Sequence, residues 1–137
     1  MDVRRAARTA YLVLAWLFVA CLVVQVFLAG MGVFVGAENF ATHRDFGYTF
    51  GLLTLILIAL AVIGRLGRRM IWLSVLVLAL FFLQSVFVSL RETAPLVAAL
   101  HPVNGFLILW LSISIAQRAR RELRNPAGEA TAEPAAA

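Results

Sequence analysis

In this 137-residue chain, 63% of the side chains are hydrophobic, 14% are charged, and the mean hydropathy is +0.94. That exceeds what a water-soluble domain of one-domain length can bury and points to an all-α membrane protein. The net charge of +5 does not suggest nucleic acid: all twelve basic residues are arginine, and most flank apolar runs, as a topology signal does. The lone Cys21 excludes an intrachain disulfide and any zinc site built on several cysteines.

Arg4, Arg5 and Arg8 precede an apolar run at about 11–35. A signal peptide has the same order of charge and apolar core, but its core is roughly 7–15 residues. This run continues well past Cys21, so it reads as a transmembrane helix. Further spans are expected at about 43–64, 70–90 and 95–117, each close to the ~20 residues that cross a bilayer. Residues 1–124 form one transmembrane domain, and 125–137, rich in Ala, Glu and Pro, are expected to be a disordered cytoplasmic tail.

The arginines set the orientation. Arg4, Arg5 and Arg8, then Arg65, Arg68 and Arg69, then Arg118, Arg120, Arg121 and Arg124 cluster at the N-terminus, the central turn and the end of the fourth span. The other two connections hold only Arg44 and Arg91, each beside an acid. Excess arginine marks cytoplasmic segments, so both termini are expected inside, in a bacterial cytoplasmic (inner) membrane. Short connections make neighbouring helices antiparallel, which gives a transmembrane four-helix bundle.

The two halves share a pattern. Gln25 is followed 18 positions later by His43 and then Gly47; Gln84 is followed 17 positions later by His101 and then Gly105. Such matching fits a 2+2 parallel internal repeat. At ~1.5 Å of rise per residue, His101 lies about 25 Å from Arg118 and His43 about 33 Å from Arg65, which sets both near the outer edge of the hydrocarbon. Polar groups at that depth are costly unless they face the bundle interior and find partners.

Two functions follow. In the first, His43 and His101 ligate the iron of a b-type haem, with Gly47 and Gly105 leaving room for the macrocycle. Arg44 and Arg91 would then pair with its propionates. Such a protein would pass single electrons near the outer face, from membrane quinone or to a membrane redox partner. In the second, the chain is a cofactor-free membrane module that packs against a partner membrane protein through its glycine faces, with the lipid bilayer as its other contact. The histidines are then interfacial polar residues bonded to Gln25, Gln84 or loop carbonyls. Pro102 removes a backbone hydrogen bond to Ala98, so a kink is expected at His101. No catalytic residues are assigned, because no nucleophile, base and acid stand in a usable pattern.

In size, in four spans and in the element His101-Pro102-Val103-Asn104-Gly105, the chain resembles a family of small bacterial integral membrane proteins of unknown function, over roughly residues 8–120. In architecture it is similar to one half of haem A synthase, whose second and fourth helices carry paired haem-ligating histidines. His43, with Arg44 after it, and His101 match those positions. The resemblance implies a haem-binding bundle. It does not extend to that enzyme's catalytic glutamate, for which Glu38 is the nearest residue by position.

Overall fold

The computed structural model describes residues 2–124, which form helices joined by short turns. The expected tail at 125–137 lies outside the described residues. Helix α1 runs Val3–Phe34, and the Asp2 side chain accepts a hydrogen bond from the Arg4 backbone N–H to cap its start. A 3-10 turn at Ala37–Asn39 leads into α2 (Phe40–Gly51) and α3 (Leu53–Ile63). Then come α4 (Gly67–Ser89), the short α5 (Pro95–Ala98) and α6 (Leu100–Arg124). These make four stretches long and apolar enough to cross a membrane: Val3–Phe34, Ala37–Ile63, Gly67–Ser89 and Pro95–Arg124. The chain is an all-α, multi-pass membrane protein.

The spans pack in a ring. The first touches the second and the fourth, and the third touches the second and the fourth. The second and fourth therefore stand diagonally across the bundle, as do the first and third.

Two spans are interrupted, each for a local reason. Thr54 donates its hydroxyl to the Gly51 carbonyl at 2.7 Å, and the Leu55 N–H turns to Leu52, so a tight turn separates α2 from α3. In the fourth span, α5 ends at Ala98 and α6 begins at Leu100. The Ala98 carbonyl is the one that Pro102 leaves without a helical donor. The kink anticipated at the histidine thus falls just before it.

The turn between the second and third spans is a Schellman-type stop. Arg65 adopts the left-handed conformation (φ 49°), and the Leu66 N–H reaches back to the Ala61 carbonyl at 3.0 Å. Leu66 is buried beneath it, and Gly67 supplies the second positive φ, 79°. Arg8 closes the same end from the first span, donating to the carbonyls of Gly64 (2.7 Å) and Arg65 (3.1 Å). One of the arginines counted for topology therefore also caps a helix.

The core is concentrated toward this arginine end. Ala15, Ala61, Ala116 and Ala119 are at most 2% exposed, and their small side chains let the helices approach closely. Tyr11 is fully buried and shares a 2.8 Å hydrogen bond with Ser74, whose hydroxyl also bonds the Met70 carbonyl. Above them Phe18, Phe50 and Phe81 form an aromatic cluster with ring centroids 5.2–5.9 Å apart. Trp16, Trp72 and Trp110 face outward.

Candidate functional site: a histidine pair across the bundle diagonal

Beyond the aromatic cluster the two histidines meet. The rings of His43, on α2, and His101, at the start of α6, lie 6.2 Å apart between centroids, with planes inclined at 67°. They come from diagonal spans, so the contact crosses the bundle axis. The break before His101 does not turn it away from His43.

Each imidazole is held by the glutamine of the neighbouring span. His43 Nδ1 lies 3.0 Å from the Gln25 backbone carbonyl, and His101 Nδ1 lies 3.3 Å from the Gln84 backbone carbonyl. A carbonyl oxygen only accepts, so both rings carry their proton on Nδ1. Each Nε2 then keeps its lone pair when the ring is neutral. Anchoring one ring nitrogen on a carbonyl is the usual way a metal-ligating histidine is oriented. Phe40 adds an edge-on contact to His43 at 6.4 Å and packs against Gly32, where any Cβ would collide with its ring.

The glycines make room for the same glutamines. A Cβ at position 47 would come within 2.8 Å of Gln25 Nε2, and one at 105 within 3.2 Å of Gln84 Nε2. The two glutamine amides therefore lie directly against these glycines. Gly51, one turn after Gly47, packs on Phe81. Gly47 is buried, while Gly51 and Gly105 are partly exposed.

The two frames differ in how the amide is turned. Gln25 Nε2 donates to the His43 carbonyl at 2.8 Å and lies 3.3 Å from His43 Nε2. Both amide hydrogens point that way, and the buried Oε1 has no hydrogen-bond partner among the described residues. Gln84 instead turns its Oε1 toward Asn104, which donates to it at 3.0 Å and to the Leu80 carbonyl at 2.8 Å. Asn104 is buried, and sequence reasoning did not select it. It was named there only as part of the His101–Gly105 element, and its further signal was an amide inside an apolar run, one turn before Ile108.

Arg44 and Arg91 are not drawn into this cluster. Arg44 Nε pairs with Asp45 at 2.8 Å, and Arg91 Nη2 with Glu92 at 3.4 Å, all four side chains at least 61% exposed. Each arginine is engaged by its own chain neighbour at the surface. Glu38 sits exposed in the 3-10 turn. Among the described residues no group of three or more histidine, cysteine or acidic side chains could hold a metal ion, so any metal here would rest on two imidazoles.

A family model described as a family of unknown function (DUF6220) matches residues 25–94, just over half of the chain. The chain belongs to that family. The matched stretch begins at Gln25 and includes His43, Gly47, Gln84, Arg44 and Arg91. It stops before His101, Asn104 and Gly105. No curated protein and no solved structure matches the chain.

Proposed function

For this member of the family we propose a bis-histidine site for b-type haem, serving single-electron transfer near the outer face of a bacterial inner membrane. One observation carries the reading: two imidazoles in edge-on contact, each anchored through Nδ1 on a backbone carbonyl, which makes Nε2 the available ligand atom on His101 and, once the Gln25 amide gives it up, on His43. An ion shared by two imidazoles at about 2 Å from each nitrogen puts the ring centroids roughly 6 Å apart. The observed 6.2 Å agrees. Haem would supply reversible one-electron chemistry.

The chain's own residues divide the remaining work. The carbonyls of Gln25 and Gln84 orient the rings and raise the basicity of Nε2. The Gln25 amide, now on His43 Nε2, is the group that must yield the nitrogen. The matched contacts of the two halves support a duplicated two-helix unit, and the arginine distribution supports an outward-facing histidine end. Quinone is the proposed donor class, because a lipid-embedded site near the interface is within its reach.

The glutamine amides already seated on Gly47 and Gly105 favour a second reading, a cofactor-free membrane module whose histidine cluster ties the helices together. Absorption spectra of detergent-purified protein from haem-replete cells, oxidised and then reduced, separate the two. Haem binding predicts a stoichiometric low-spin signal that disappears in both His43→Ala and His101→Ala. Colourless protein with intact helical circular dichroism sinks it.

A further inference from the structure

We propose that the bundle holds one ordered water molecule deep in its core, bridging Ser74 and Ser112. A cavity of about 10 Å³ lies there, lined by side chains of all four spans, among them Phe18, Leu57 and Ile115, and by the two serines. Every one of those named residues is at most 4% exposed. A single water needs about 10–15 Å³ on the same measure, so the space admits one molecule and no more.

The hydrogen-bond accounting supplies its partners. Buried hydroxyls in these helices usually bond back to their own backbone. Thr54 does so to Gly51 and Ser74 to Met70, but Ser112 Oγ is buried with no partner among the described residues. Leaving a hydroxyl unsatisfied in such a place is costly. Ser74 has the complementary vacancy. Its proton goes to the Met70 carbonyl and one lone pair accepts from Tyr11, which leaves a second lone pair unused. A water that donates to Ser74 Oγ and accepts from Ser112 meets both needs. It extends the Tyr11–Ser74 link of the first and third spans to the fourth, a continuous hydroxyl chain across the bundle.

An experimental structure of the wild-type protein, at a resolution that shows ordered water, decides the matter. The expected result is one isolated peak within hydrogen-bond distance of both Oγ atoms. A void with no peak, or a Ser112 hydroxyl turned onto the Ile108 carbonyl, overturns the proposal. Thermal denaturation gives an independent check with Ser112→Ala, alone and in a Tyr11→Phe, Ser74→Ala background. A bridge predicts a fall of several degrees in the single variant and a much smaller further fall in that background. Equal falls in the two backgrounds, or none in the single variant, overturn it.

Discussion

The two ends of this bundle are built differently. At the arginine end, alanines bring the helices close, Tyr11 and Ser74 join two of them, and Arg8 caps a third. In the third span the fully buried residues are Met70, Ser74 and Val77, all in its first half. At the histidine end, Gln25, Gln84, His43 and His101 are only partly buried, and both histidine-bearing spans are interrupted, the fourth just before His101 and the second at Leu52. Tight apolar packing fixes the fold at one end, and that leaves the other free to carry costly polar groups. Sites placed where packing is loosest can be altered without unfolding the rest.

Substitutions at each end test this division. The largest effect is expected from His101→Ala, which abolishes any haem absorption while leaving the melting temperature within a few degrees of wild type. Loss of the fold with the colour would show that the histidine end is structural. Ala116→Leu, at a position with no exposed surface, overpacks the alanine seam and should destabilise by about 1–3 kcal/mol, read by denaturation in detergent. Arg8→Ala should cost about 1.5 kcal/mol by stripping a charged donor from two carbonyls, measured the same way. Asn104→Ala should cost about 1 kcal/mol, from two interhelical hydrogen bonds of about 0.6 kcal/mol each in a membrane. If haem is present, that variant should also shift its potential, because Gln84 loses the donor that fixes it. Arg91→Ala should leave stability unchanged, since its ion pair with Glu92 is exposed and long.

Much of this architecture was legible from the chain. Four apolar runs separated by arginine clusters left little choice of fold, and near-equal spacings from glutamine to histidine, 18 and 17 residues, marked His43 and His101 as a pair. The use of the glycines was not legible, because a gap beside a helix looks the same whether a cofactor or a neighbouring amide fills it. Asn104 was missed because its role depends on Leu80 and Gln84, which only the folded bundle brings to it. Arg8 was read as a topology charge, and nothing local distinguishes that role from capping the Gly64 turn. The break at Leu52 depends on a single Thr54 hydroxyl competing for a carbonyl.

Among the described residues the side-chain hydrogen bonds of the histidine cluster run within a half: Gln25 with His43, and Gln84 and Leu80 of the third span with His101 and Asn104 of the fourth. Across the midline at that level the two imidazole rings are in contact. Each half therefore brings its histidine to the midline with its own set of hydrogen bonds. A ligand held by both rings would tie the two halves together at that level, where their hydrogen bonds do not. Spin labels placed beside His43 and His101 should then report a narrower spread of distances when such a ligand is added, and labels at the alanine seam should report no change.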